Sequence, residues 1–367
     1  MNKEILEKFD DYLSAEGPPA LVTREHLVPV EGADAVFFPS TYRDIGYNID
    51  GRNRFEDPSA ENTVLVDSVG SQMNRIEPMF KETPFSKLVP QITITAGDSK
   101  VVNLLEAGHR AADAIARCSE LKDSLQAAFK DVNLGNASLL AKIAPTSLVF
   151  GVWDSRDTQA KLPRLLASTI RAYNVRKLTR SATYFAPADY AEMDIFTEEE
   201  RQKAEGDDKN PLSKRGFVNA TPTSTHGGVI ADGNILRDVT FALAALRLLK
   251  ADTPENTKKL QRYILGLALL AFTSNRAIGY LRQGTILVRD AKKPPQIKSV
   301  NFDGTRKDVS FTDILEYAQA VAADFVVGDD KKVKFEQDKA SSDLKGEGVK
   351  PTKKNPKKSA SKSTPSA

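Results

Sequence analysis

Apolar positions along this chain follow two rhythms, and the switches between them mark its elements. Residues 3–15 repeat at helical spacing, with Ile5, Leu6, Phe9 and Leu13 on one face. Residues 20–30 and 35–38 read as two strands across a turn at Glu31 and Gly32, consistent with a hairpin. The β-branched run 63–69 predicts a buried or nearly buried strand. Gly70 then turns it into a short polar helix with Ser71 at its N-cap and Pro78 at its end. Residues 91–95 read as another strand. The spacing over 100–121 predicts a long helix with Val101, Leu104, Leu105, Ala112 and Ile115 on its apolar side. Residues 146–153 predict a core strand, and 158–175 a helix that buries Leu162, Leu165, Leu166 and Ile170. Residues 179–185 suggest a strand, and 190–215 a mobile insertion. A helix is expected from near Ile235, residues 238–250 and 255–273 form an αα-hairpin, 280–289 are a strand bulged at Gly284, and 311–325 are a last helix.

Composition narrows the possibilities. The 367 residues suffice for one large domain or two ordinary ones, and 40% hydrophobic content can fill a sizeable core. The single cysteine, Cys118, excludes a disulfide framework and a multi-cysteine zinc site. His26, His109 and His226 are far apart, without ligand spacing. No apolar signal core opens the chain, and its longest apolar run, 264–272, is too short to span a bilayer. A cytoplasmic location with no membrane partner is the expectation. The net charge of +3 is local: Lys350, Lys353, Lys354, Lys357, Lys358 and Lys362 lie in the last twenty residues, and without them the remainder stands at −3. Any nucleic-acid binding by the folded body must use clusters, not bulk charge.

Four clusters qualify. Ser71, Gln72, Asn74 and Arg75 crowd the mouth of the helix after the 63–69 strand, where amide and guanidinium groups suit phosphate and sugar oxygens. A buried polar network that caps the helix would use the same residues. The loop holding Tyr42, Arg43, Tyr47, Arg52, Arg54 and Phe55 interleaves aromatic and basic side chains, which can stack bases and hold phosphates. Lys161, Arg164, Ser168 and Arg171 form one stripe on the expected 158–175 helix, a backbone-binding surface or an ordinary solvated face. The segment 216–234, rich in Gly, Thr and Ser and preceding an expected helix, could bring backbone N–H groups to phosphate. Its spacing matches neither a P-loop nor a dinucleotide fingerprint, so no cofactor is indicated.

Four blocks occur in order: DSVGSQMNRIE from Asp67, LLEAGHRAADA from Leu104, SLVFGVWDS from Ser147, and GFVNA from Gly216 followed by HGG from His226. Together they resemble the backbone subunit of a CRISPR Cascade effector, the Cas-seven family of RAMP proteins in its type I-G (formerly I-U) branch. The resemblance covers roughly residues 20–320. It implies an α+β fold, a hand-like RAMP architecture with an RRM/ferredoxin-like palm and large helical and loop insertions. Residues 1–330 would form that single domain, with finger and thumb segments at about 40–60 and 186–234, and 331–367 a disordered Lys-rich tail. It implies copies that oligomerise along CRISPR guide RNA, pair guide with target DNA and join other Cascade subunits, without nuclease activity or cofactor. The common basic-Gly-aromatic stacking run of RRM strands is absent here, which points to backbone contacts in place of base stacking. On this reading Ser71, Gln72, Asn74 and Arg75 hold guide phosphates or riboses, Arg43 braces them, Lys161, Arg164 and Arg171 extend the track, and the 221–228 loop with His226 is the thumb or a phosphate cradle.

Two other classes fit the same residues. Backbone subunits of related type III effectors cut RNA, so a metal-dependent ribonuclease using Asp44, Asp67 and Asp154 is one alternative. A self-assembling structural protein that binds no nucleic acid is the other.

Overall fold

The computed structural model describes residues 3–52, 56–207, 209–221 and 226–346. Its main elements in chain order are β1 (Ala20–Pro29), β2 (Asn62–Asp67), α1 (Val69–Ile76), β3 (Ile92–Ala96), β4 (Lys100–Asn103), α2 (Thr146–Phe150), β5 (Val152–Trp153), β6 (Lys161–Leu162), β7 (Leu166–Tyr173), β8 (Ile235–Ala242), α3 (Pro254–Phe272), β9 (Gly279–Arg282), β10 (Thr285–Arg289), β11 (Ile297–Val300), β12 (Arg306–Val309), α4 (Ile314–Phe325), β13 (Lys331–Lys334) and α5 (Gln337–Gly346).

The principal sheet runs β9-β10-β1-β8-β7-β2, with a short edge strand Ile49–Gly51 beyond β2, and every pairing in it is antiparallel. Within it, β1-α1-β7-β8-α3-β10 is a βαββαβ unit. Its spatial order β10-β1-β8-β7 is fourth-first-third-second, the order of an RRM or ferredoxin-like palm. The fold is therefore α+β and of the expected kind. The insertions are long: β2 lies between α1 and the first palm strand, and the stretch 174–234 joins two neighbouring palm strands.

Both palm helices cover one face. Leu21, Leu166, Val239 and Phe241 from the sheet pack with Met73 and Ile76 of α1 and with α3. Thr253 caps α3 through its side chain and Pro254 opens it. Gly266 lets α4 approach, since a Cβ there would stand 3.1 Å from the Ala318 Cα. A second apolar cluster, with Leu27, Val64, Val66, Ile170 and Leu287, fills the far end of the same face. Glu25, Arg237 and Asp67 lie between the two, in register across the strands with Ile170. On the other face Arg24, Asp238 and Thr169 align, as do His26, Leu236 and Arg171.

Several elements differ from expectation. Segment 100–121 is not one helix: β4 is followed by two 3-10 turns and the short helix Ala114–Arg117. Arg110 adopts φ +54° within it, a conformation a helix cannot contain. Segment 146–153 is α2, ended by Gly151 and continued as β5. The expected helix over 158–175 is strand β6 and strand β7, and the helix expected from Ile235 is strand β8. The αα-hairpin is absent because β8 runs to Ala242 and only one turn, Leu243–Leu246, precedes α3. Residues 35–38 do not pair with β1; Phe37 forms a single bridge to Val229. Gly284 lies in the turn between β9 and β10, not within a bulged strand. The insertion 190–215 contains helices Glu198–Ala204 and Pro211–Lys214. Residues 331–346 are not a disordered tail: β13 lies parallel to β3, and α5 is tied back by Arg117 to Asp343 at 2.8 Å, while 347–367 lie outside the described residues.

Candidate nucleic-acid interface

β2 delivers Asp67 to the inner face of the sheet, where it is fully buried. Ser68, not Ser71, caps α1, its hydroxyl accepting the Ser71 N–H at 3.3 Å; Gly70 sits inside the helix. One helical turn then aims three side chains back at Asp67. Ser71 Oγ donates to it at 2.8 Å, Gln72 Nε2 at 2.6 Å and Arg75 Nε at 3.2 Å. Arg282 of β9 donates a fourth contact at 2.8 Å. A buried carboxylate needs such partners, because its desolvation is otherwise uncompensated.

The chain of contacts continues across the sheet. Ser168 Oγ donates to Gln72 Oε1 at 2.8 Å and accepts from Arg237 Nε at 3.0 Å. Arg237 meets Glu25 at 2.8 Å, and Arg289 reaches the other oxygen of Glu25 at 2.7 Å. Gln72 is thus sealed, with both ends of its amide spent inside the protein, and has no atom to offer a ligand. That corrects its expected role: it wires α1 to the sheet. Ser71 and Arg75 serve the same network, Arg75 with 27% of its side chain exposed.

Asn74 alone of the four points outward, and it opens onto a groove of about 680 Å³. Three of the four sequence blocks converge there. Gly70 comes from α1, Gly108 and Arg110 from the turns after β4, and Gly151 and Trp153 from the end of α2 and from β5. Lys161 and Arg164 come from β6 and the link to β7. Gly151 holds φ +80°, and Arg164 lies directly over it: a Cβ at Gly151 would meet Arg164 Cγ at 2.8 Å. Trp153 is 56% exposed, and the Lys161 ammonium stands 5.3 Å from its ring centroid.

No carboxylate lines the groove among the described residues. Glu77 is buried beneath it, 2.7 Å from Arg110, whose guanidinium also lies over the Phe150 ring and donates to Asn74 Oδ1 at 3.3 Å. Burial pushes the Glu77 carboxyl up to about 7, opposed by the Arg110 charge and by bonds from Thr146 and Arg110. Asp154, next to Trp153, turns inward and accepts from the Thr158 N–H at 2.8 Å and hydroxyl at 2.6 Å. Arg164 has no carboxylate partner among the described residues. The result is a positive, glycine-floored channel with an exposed indole, suited to a phosphodiester chain.

The remaining expected residues lie elsewhere. Lys161, Arg164 and Arg171 share no helical stripe; Arg171 is on the opposite face of the sheet. Arg43 does not brace α1: it is exposed, and its carboxylate partner among the described residues is its neighbour Asp44 at 3.7 Å. His226 packs edge-on against Tyr47, ring centroids 5.1 Å apart, beside a separate cavity of about 420 Å³ with Arg180 and Arg282. Of the 221–228 loop, residues 222–225 lie outside the described residues, as do Arg54 and Phe55. The Gly227 and Gly228 N–H groups already donate to Leu178 O and Tyr47 Oη, so they cradle no phosphate; these glycines allow close backbone packing. Asp44, Asp67 and Asp154 are far apart in role, and no group of three or more His, Cys, Asp or Glu is placed to hold a metal among the described residues. Trp153 was not among the expected groove residues, while Gly108, His109 and Arg110 invite a functional reading with a close helix crossing at Gly108 as the alternative. The signal for Arg110 and Trp153 was a glycine two residues before each, Gly108 in a block that also holds Glu106, His109 and Asp113, and Gly151 in an apolar one.

No helix among the described residues is long and apolar enough to cross a membrane. Residues 21–177 match the family model described as CRISPR-associated protein GSU0053. The matched stretch is under half of the chain and contains every groove residue named above. It supports a CRISPR-associated protein with a role in CRISPR defence. No curated protein matches the chain.

Proposed function

We propose that this chain is the guide-RNA-binding backbone subunit of a type I CRISPR effector, of the Cas-seven RAMP kind in the type I-G branch. Copies assemble side by side on one guide in the cytoplasm, together with other Cascade subunits. Each holds the guide backbone so that its bases remain free to pair with target DNA. The observation that carries this reading is the carboxylate-free groove in which Asn74, Trp153, Lys161 and Arg164 converge over three glycines, with Arg110 buried in its floor on Glu77. Contacts to phosphate and ribose grip any sequence equally, as interchangeable guides require. The segments 40–60 and 186–234, outside the palm strands, are the parts available to reach a neighbouring copy.

The role is non-catalytic. A metal-dependent ribonuclease needs exposed acids beside the bound strand. Here Asp67 is sealed between two arginines, Asp154 caps its own loop, and Asp44, though exposed, does not line the groove. The test is size-exclusion with light scattering, with and without guide-length RNA. RNA-driven assembly into stoichiometric multimers is the expected result. A protein that stays monomeric and RNA-free at low salt, where phosphate contacts are strongest, would refute the assignment.

A further inference from the structure

The sheet face turned away from the groove carries a second basic depression of about 680 Å³. Arg24 and His26 of β1, Lys293, and Lys298 and Arg306 of the β11–β12 hairpin line it. Its one lining carboxylate, Asp238, is paired with Arg24 at 2.6 Å, and Lys298 is paired with Asp308 of the same hairpin at 3.1 Å, which leaves Lys293 and Arg306 as its cations without a carboxylate partner among the described residues. Arg306 is exposed and has no carboxylate partner among the described residues. His26 Nδ1 is shielded from solvent and makes no hydrogen bond.

The hairpin ends in an ordered tip. Asn301 N–H donates to Thr305 O at 2.9 Å, Gly304 N–H to Asn301 O at 3.0 Å, and the Thr305 hydroxyl to Asp303 at 2.7 Å. That tip holds Phe302 in water, 76% exposed, four residues from Arg306. An exposed aromatic on the same hairpin as an unneutralised arginine that lines an open depression is the pairing that single-stranded nucleic acids use: ring for base, cation for phosphate. An acidic peptide would match the charge but leave Phe302 unexplained. It could not add to β1 or β8 as a strand, because both lie inside the sheet with neighbours on each side.

We propose that this face binds a second single-stranded nucleic acid, with phosphates on Arg306 and Lys293 and a base stacked on Phe302. The groove reading enters only in making this strand distinct from the guide. The experiment uses the full chain, loaded with saturating unlabelled guide-length RNA, titrated with fluorescent oligo-dT, oligo-rU or an abasic oligonucleotide of equal charge. Loaded wild-type protein should bind oligo-dT or oligo-rU, better than the abasic strand. Arg306→Glu/Lys293→Glu should weaken that binding about tenfold. Phe302→Ala should abolish the preference over the abasic strand while RNA loading stays unchanged. All three positions are exposed, so folding, followed by circular dichroism, should be intact. Binding unaffected by Arg306→Glu/Lys293→Glu overturns the proposal, as does displacement of oligo-dT by polyglutamate at equal charge concentration. If RNA fails to load yet oligo-dT still binds through Arg306, the guide assignment falls and this site stands.

Discussion

Asp67 receives hydrogen bonds from four side chains and sees no water. Its charge also lies between Arg75 and Arg282; burial lowers Arg282, opposed by Asp67 and aided by the Arg75 charge. Asp67→Asn should therefore cost about 3–5 kcal/mol, measured by urea denaturation at neutral pH. Arg75→Glu would set a carboxylate against Asp67 and destabilise as well, so lost RNA binding in that variant would say nothing of direct contact. Glu77 gives a pH signature. Raised from 4.5 to about 7 by burial, its carboxyl keeps a proton in the folded chain that the unfolded chain releases. Its contribution is complete below pH 4.5 and declines as pH rises through 7. Wild-type stability relative to Glu77→Gln should fall across that window and level off above it, as denaturant midpoints at several pH values would register. At this scale the donors of α1 were legible as a polar crowd. What was not legible was that Asp67, one and two helical turns upstream, is their common acceptor.

Elements were misread where the inner face of the sheet is polar. In β7 the inward positions are Leu166, Ser168, Ile170 and Ala172, and in β8 they include Arg237. Serine and arginine on a core face conceal a period of two, and chance spacing of Leu162, Leu165, Leu166 and Ile170 then imitates a helix. α2 was misread for the opposite reason: all five of its residues are buried, so no period remains. The strands β1, β2 and β3 and the helices α3 and α4 were read correctly in type, β1 and β2 even though Glu25 and Asp67 lie on their buried faces, because apolar residues dominate the rest of each run. Gly151 is the element-scale hinge of the groove. Gly151→Ala combines φ +80° with a Cβ 3.0 Å from the Arg164 backbone nitrogen. It should lower stability by about 1–3 kcal/mol in a denaturant titration, and it should displace Arg164.

Over the whole molecule, the palm order arises from pairings such as Arg24 with Asp238, more than two hundred residues apart. Local periodicity contains no such information, so the topology was accessible only through the four resembling blocks. The C-terminal boundary failed for a related reason. β13 is a lysine-rich strand whose order comes from lying beside β3, not from its own composition. Its Val333 and the following Phe335 pack against the main core. Truncation after Asp330 should therefore lower the melting temperature in a thermal scan, where a merely appended tail would leave it unchanged.

The central claim is that the groove between α1, β5 and β6 grips an RNA backbone. Its most direct test is fluorescence anisotropy with a guide-length RNA over a salt series, comparing wild type with Lys161→Glu/Arg164→Glu. Both side chains are exposed and outside the Asp67 network, so the melting temperature should hold. Binding should weaken at least about tenfold, with a salt dependence shallower by roughly two phosphate contacts. An unchanged affinity and an unchanged salt slope in a folded variant would contradict the claim.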